Sequence, residues 1–129
     1  MELIGRTEGG YQRPILKTGQ ENMISSTSKS NKGFYAMNGI WIQYERIQIT
    51  LPVKSNYNWT TIPFTTVFDG MPFLISANIE YNEHIGQYNV HMRNINVNDK
   101  SSLLAHIKHD RQTELTLDIG VVLAGYKAN

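Results

Sequence analysis

The chain has 129 residues, of which 12 are basic and 11 acidic, and it has no cysteine. This length suits one domain, and the net charge of +1 provides no strong field for nucleic acid or an anionic membrane. The absence of cysteine excludes disulfides, thiolate metal sites and cysteine nucleophiles, and no apolar run approaches the roughly 20 residues of a membrane-spanning helix. We therefore expect neither a nucleic-acid partner nor membrane insertion.

Residues 1–32 are polar and differ in composition from the rest of the chain. Two adjacent glycines, a proline and the run SSTSKSNKG leave few apolar side chains. Such a segment cannot bury a core of its own. We therefore expect an extended N-terminal arm over residues 1–32 that packs on another surface, followed by one β-domain over residues 33–129.

The first part of this domain predicts a hairpin with a long second strand. GFYAM is a short strand candidate, and Asn38-Gly39 fits the two positive-φ positions of a type I′ turn. In IWIQYERIQITL the apolar residues move from even to odd positions at Glu45-Arg46, which favours a β-bulge that returns them to one face. The alternative is a strand whose two halves pack on different neighbours. Trp41 falls on the polar phase, so we expect it to cover the outside of the sheet or to meet another subunit.

Five further segments alternate between apolar and polar residues, with turn signals every eight to twelve residues. They are TTIPFTTVF, PFLISANIEY, QYNVHMRNINV, LLAHIKH and ELTLDIGVVLAGY. QYNVHMRNINV contains a second change of phase, between Met92 and Ile95, and LLAHIKH could also form a helix. VKSNYNW, which precedes TTIPFTTVF, has the composition of a loop. Six to seven strands without a convincing helix predict an all-β fold, an antiparallel sandwich or barrel.

The histidines and acids give little evidence of catalysis or metal binding. His106 and His109 are three apart and precede Asp110, but residues three apart on a strand point to opposite faces. Solvent-facing side chains near a strand end are therefore favoured over a metal pair. The sequence contains no nucleophile elbow, phosphate loop or zinc-protease motif. We expect a protein that is not an enzyme, with no catalytic residue, metal or cofactor.

Aromatic residues in polar segments are the best candidates for a binding site. In KSNYNWTT, flat rings stand beside amide side chains. A saccharide needs this combination, because its C–H groups stack on rings and its hydroxyls bond to amides. The alternative is that one of the rings folds back and caps the core. The candidate saccharide contacts in or beside polar loops are Tyr57, Asn58, Trp59, Tyr81, Asn82 and His84.

Three segments share a pattern with a known group of proteins. They are MNGIWIQY at residues 37–44, TTIPFTTVFDGMPF at residues 60–73 and VVLAGY at residues 121–126. Together they resemble the C-terminal tip domain of bacteriophage tail fibres, whose fold is similar to that of the H-type lectins. The resemblance implies a lectin-like β-sandwich of six to seven strands that assembles as a parallel homotrimer.

The resemblance also implies a role on the virion, outside the cell. Residues 1–32 would join other tail or fibre proteins, and a distal surface would bind a host glycan. The expected function is that of a tail-fibre receptor-binding protein that recognises a host saccharide. Two alternatives stay open: a collar, head-fibre or baseplate protein of the same fold without a glycan site, and a free-standing H-type lectin.

Overall fold

The computed structural model describes residues 21–22, 25–52, 55–81 and 88–128, and all regular structure in them is β-strand. The strands are β1 (Glu21–Asn22), β2 (Ser25–Tyr35), β3 (Ile40–Leu51), β4 (Ser55–Pro63), β5 (Phe73–Tyr81), β6 (His91–Asp99), β7 (Ser102–His109) and β8 (Leu115–Tyr126). The expected all-β class is confirmed. The segment with a helical alternative is β7, a strand.

The strands form two four-stranded sheets that enclose one core. One sheet has the order β1-β4-β7-β6 and is called the β4–β7 sheet; the other has the order β2-β3-β8-β5 and is called the β3–β8 sheet. Neighbouring strands are antiparallel, except that the two-residue β1 runs parallel to β4. The expected antiparallel sandwich is therefore confirmed.

The core consists of aliphatic side chains at alternate positions of the central strands. Burying each of them contributes roughly 1.5–3 kcal/mol. Phe64 and Phe68, from the connection between β4 and β5, complete the core at one end, with ring centroids 6.5 Å apart. The fully buried aliphatic residues are Ile47, Ile49, Leu51, Ile62, Leu103, Ala105, Ile107, Leu115, Leu117, Ile119, Val121 and Leu123.

The first hairpin has the expected turn. Asn38 and Gly39 have φ angles of 52° and 79°, and the amide of Ile40 donates to the carbonyl of Met37 at 2.9 Å. These are the features of a type I′ turn. β2, the strand before the turn, begins at Ser25. Residues 25–32, which were expected to belong to the N-terminal arm, are therefore part of the β3–β8 sheet. Residues 1–20 lie outside the described residues.

β3 is continuous, and the bulge expected near residues 45–46 is wrong. The strand pairs with β8 along its whole length without a shift of register. Its odd-numbered side chains face the core throughout, so that Gln43 and Glu45 are buried. The irregularity in this part of the sheet lies in β2, where the pairing shifts between Ser28 and Ser30.

Trp41 lies on the core side of β3, so the expectation that it covers the outside of the sheet is wrong. Its ring packs against the core and over Gly33, where a Cβ atom would lie 2.3 Å from Cζ2 of the ring. Tyr35 contacts the ring edge-on, with centroids 4.8 Å apart, and Nζ of Lys127 lies 4.5 Å from the ring centroid. These contacts join the C-terminal end of β8 to the first hairpin.

The second change of phase, in β6, is a β-bulge. The pairing of β6 with β7 shifts between Arg93 and Asn96, and Asn94 has a φ of 55°. Asparagine adopts this left-handed conformation more readily than most residues. The extra residue allows Met92 and Ile95, which differ in phase, to pack against the same core.

The sandwich has two ends with different connections. The Asn38-Gly39 turn, residues 64–72 and the turn between β6 and β7 lie together at one end, which we call the turn end. Hydrogen bonds join them there: the amide of Phe64 donates to Ser101, and that of Lys127 to Gly39. The connections β3–β4, β5–β6 and β7–β8 leave from the opposite end.

Candidate functional site

The structure locates part of the expected saccharide site. Residues 57–59 belong to β4, so the loop expected there from composition is wrong. Tyr81 is the last residue of β5, whereas Asn82 and His84 lie outside the described residues. β4 begins and β5 ends at the end opposite to the turn end, although the two strands belong to different sheets. The topology thus places residues 57–59 and Tyr81 at one end of the sandwich.

Trp59 is the member of this set whose side chain the structure describes. It is half-buried on the outer face of the β4–β7 sheet, and its ring is tilted by 39° against His106 with centroids 3.7 Å apart. Nδ2 of Asn94 lies 2.9 Å from Nδ1 of the same histidine. Burial, followed by the charge of Arg93, lowers the pKa of His106. One side of the Trp59 ring is therefore in contact with the protein itself.

His109 faces the core, so the expectation that it faces solvent is wrong. It is 1% exposed, and its Nδ1 accepts a hydrogen bond from the amide of Arg111 at 3.1 Å. Nε2 therefore carries the proton and donates to the carbonyl of Pro52 at 2.7 Å. The expected opposite orientation of His106 and His109 is confirmed. Within the described ranges, no group of three histidines or acids could hold a metal ion.

The sequence did not reveal an apolar row across the outer face of the β3–β8 sheet. The row consists of Phe34, Ile42, Ala124 and Phe73, which are successive partners on β2, β3, β8 and β5. The two phenylalanines at its ends are 58% and 77% exposed. Since neighbouring strands lie about 4.8 Å apart, the Cα atoms of these two residues are separated by about 14 Å.

A groove of about 260 Å³ lies beside this row at the turn end. Met71 and Tyr126, which line it, are 60% and 64% exposed. Apolar surface concentrated in this way is characteristic of an interaction site. The residues around the groove are Ile40, Gly70, Met71, Phe73, Ala124, Gly125 and Tyr126.

A buried chain of polar side chains on β3 holds residues 64–72 in place. Glu45 is fully buried and accepts hydrogen bonds from the amide and the hydroxyl of Thr65, each at 3.0 Å. Nε2 of Gln43 also donates to Glu45 at 3.1 Å, and Nε1 of Trp41 donates to Gln43 at 3.1 Å. A carboxylate is expensive to bury unless donors surround it. Glu45 therefore fixes the start of the segment that carries Met71.

Two contacts fix the end of the same segment against β8. The amide of Asp69 donates to the carbonyl of Tyr126 at 2.9 Å. The ring of Phe68 lies over Gly125, where a Cβ atom would be 2.8 Å from Cδ1 of the ring. The groove is consequently bounded by a segment that is attached at both of its ends.

The half of this outer face farther from the turn end is charged. Nε of Arg46 donates to Asp118 at 2.8 Å, and Nη1 lies 3.7 Å from Glu80, which accepts a hydrogen bond from the hydroxyl of Tyr44. Gly120 makes this possible, because a Cβ atom there would lie 2.3 Å from Cδ of Glu80. The bond to Glu80, together with burial, raises the pKa of Tyr44. The face thus divides into an apolar part and a charged part.

Comparison with known proteins identifies no relative. No family model matches the chain, and no curated protein or solved structure is significantly similar to it. Within the ranges that the structure describes, no helix is long and apolar enough to cross a membrane. The likeness to tail-fibre tips therefore rests on the three short sequence segments.

Proposed function

We propose that this chain is the receptor-binding tip of a phage or phage-like tail fibre, a lectin-like module that recognises a host saccharide as a homotrimer. It acts on the virion, outside the cell, and residues 1–32 attach it to other fibre proteins. The observation that carries the proposal is the separation of two surfaces. The apolar row and the groove lie toward the turn end, and residues 57–59 and Tyr81 of the candidate set lie toward the opposite end.

The exposed apolar surface provides a large part of the area that contact between copies requires. Phe34, Phe73 and Tyr126 expose 58%, 77% and 64% of their surfaces. At roughly 150–250 Å² per aromatic side chain, these fractions amount to about 300–500 Å². Met71 and Ile75, more than half exposed, add to this. A stable interface buries about 800 Å² on each partner, and these five side chains provide a large part of it.

The strand ends at the opposite end adjoin, in the sequence, residue types that bind saccharides. Tyr57, Asn58 and Trp59 lie near the start of β4, and Asn82 and His84 come after Tyr81 in the sequence. Rings supply apolar faces for sugar C–H groups, and amides supply donors and acceptors for hydroxyls. Three copies at the tip of a fibre would multiply a weak single-site affinity.

Substitution of the two rings tests the saccharide site. Replacing Tyr57 and Trp59 with alanine should abolish binding to host cells and to a glycan array, and the mass in solution should stay the same. Met37→Ala, an exposed side chain on the turn at the other end, is the matched control and should bind normally. Unchanged binding by the folded double variant would contradict the site.

A structural virion protein without a glycan site is the second candidate. The contact between Trp59 and His106 favours this candidate. Because one side of the Trp59 ring packs against His106, that side is not open to a sugar. Deletion of residues 1–20, which leaves β1 and β2 intact, separates a virion component from a free-standing lectin. A virion component should lose attachment to the particle, whereas a free-standing lectin should keep full glycan binding. Particle attachment by the full chain without any glycan binding would favour the structural protein.

A further inference from the structure

We infer that the copies contact one another head to tail, with Phe34 of one copy seated in the apolar groove between Met71, Phe73 and Tyr126 of the next. This inference rests on the homotrimer proposed above and specifies the surface that forms it. The projecting ring and the groove belong to the same outer face of the β3–β8 sheet, but they lie at opposite sides of it.

Phe34 is well placed to be the inserted residue. It lies on β2, the last strand of the β3–β8 sheet, and 58% of its surface is exposed. Its cross-strand partner on β3 is Ile42, an apolar residue that is itself half-buried. The ring of Phe34 therefore lies at the edge of the sheet, next to the apolar side chain of Ile42.

The groove is large enough for that ring. Its volume is about 260 Å³, and an apolar cavity of about 150 Å³ is sufficient for benzene. Among the residues that the structure describes, those that line the groove carry no charge. Because the contacts of Glu45 with Thr65 and of Asp69 with Tyr126 hold its boundary, little ordering would be needed when a ring enters.

The separation of ring and groove allows one copy to contact two neighbours. Phe34 is separated from Phe73, at the groove, by about 14 Å across the sheet. In the proposed homotrimer each copy contacts one neighbour through its ring and the other through its groove, which makes the interface heterologous. Heterologous contacts produce closed rings or open filaments and not two-fold dimers. A closed ring of three copies satisfies the inference and the proposed homotrimer together.

A second copy fits this surface better than a small apolar ligand does. A ligand in the groove would leave Phe34 and Ile42 uncovered, whereas the two neighbouring copies in a ring of three would together cover the row and the groove. The charged part of the face, around Arg46 and Glu80, lies farther from the turn end and stays outside the contact. The apolar surface thus ends where the ion pairs begin.

Two complementary variants test the contact. Phe34→Ser removes the ring, and Ala124→Phe fills the groove from a half-buried position on its floor. Each variant alone should be monomeric by light scattering and native mass spectrometry. An equimolar mixture should form a 1:1 heterodimer, because one intact ring and one intact groove remain and the pair cannot extend further. Met37→Ser, 69% exposed on the turn, is the control and should keep the wild-type mass.

The outcomes separate this inference from the proposed function. If either variant keeps the wild-type mass, or if two monomeric, folded variants fail to form the heterodimer, the contact is overturned and another surface forms the trimer. A two-fold dimer of the wild-type chain overturns the head-to-tail arrangement and the homotrimer, and a monomer overturns the contact as well. Loss of the saccharide site leaves the mass unchanged and contradicts the saccharide proposal alone. Thermal unfolding of both variants, expected within a few degrees of wild type because both sites are at the surface, verifies the fold.

Discussion

β3 and β6 each carry apolar side chains that change from even to odd positions, yet only β6 contains an extra residue there. In β6 the bulge at Asn94 returns Met92 and Ile95 to one core. β3 runs straight through, keeps its odd face inward and buries Gln43 and Glu45 with the aliphatic residues. The same pattern in the sequence thus has two physical solutions.

The residues at the two changes of phase explain why β6 contains a bulge and β3 does not. Asn94 tolerates a positive φ, so the backbone of β6 can absorb one residue. Gln43 and Glu45 are two apart on one face, long enough to reach each other and the backbone of Thr65. In β3 the buried polar side chains are satisfied, and no bulge is needed to remove them from the core.

The largest effect is expected when the buried carboxylate of Glu45 is removed from β3. Glu45→Ala should lower the free energy of unfolding by roughly 2–4 kcal/mol, since the buried amide of Gln43 and the partly buried donors of Thr65 lose their acceptor, and a buried group without a partner costs about 1–3 kcal/mol. Urea denaturation measures the change. Glu45→Gln, which keeps one acceptor oxygen, should cost about half as much. A loss below 1 kcal/mol for the alanine variant would contradict the role of Glu45.

A smaller effect is expected from the backbone at the bulge. Asn94→Val and Asn94→Gly both remove the contact with His106, but only valine is strained at a φ of 55°. The valine variant should therefore be about 1–2 kcal/mol less stable than the glycine variant. Asn78→Val, at an exposed position of β5 without a positive φ, is the control and should cost little. Equal stabilities of the two Asn94 variants would mean that the backbone conformation carries no strain there.

The smallest effect concerns pH at the same bulge. The pKa of His106 is lowered in the folded protein, so the unfolded chain binds a proton more readily. The stability that depends on His106 is therefore complete above the ordinary histidine pKa of about 6.5 and decreases as the pH falls below it. Between pH 7.5 and 5, the melting temperature of wild type should fall relative to that of His106→Phe, which has no titrating group at this position. Parallel curves would contradict the assignment to this residue.

Local chemistry made several features predictable from the sequence. The Asn38-Gly39 turn follows from residue types that accept positive φ, and the opposite orientation of His106 and His109 follows from strand alternation. The burial of the odd-numbered apolar side chains of β8 could also be predicted from their alternation in the sequence. Each of these depends on neighbours in the sequence, so no knowledge of the fold was needed.

Other features depend on residues that are distant in the sequence. The bulge expected in β3 was wrong because the partner of Glu45, Thr65, lies 20 positions away. The apolar row draws one residue from each of four strands, so the cross-strand register had to be known before the row could be recognised. The start of β2 was missed because an edge strand of polar residues is held by backbone hydrogen bonds and needs no buried face.

The irregular pairing of β2 also has a consequence for solubility. A flat edge strand exposes unpaired amides and carbonyls, onto which the edge of another molecule can add and start aggregation. β2 has two of the usual safeguards, a shift in pairing between Ser28 and Ser30 and the charged residues Lys29 and Lys32. These safeguards would prevent copies that contact one another through side chains, as inferred for Phe34, from also pairing their sheets edge to edge. Such pairing would produce an insoluble fibril.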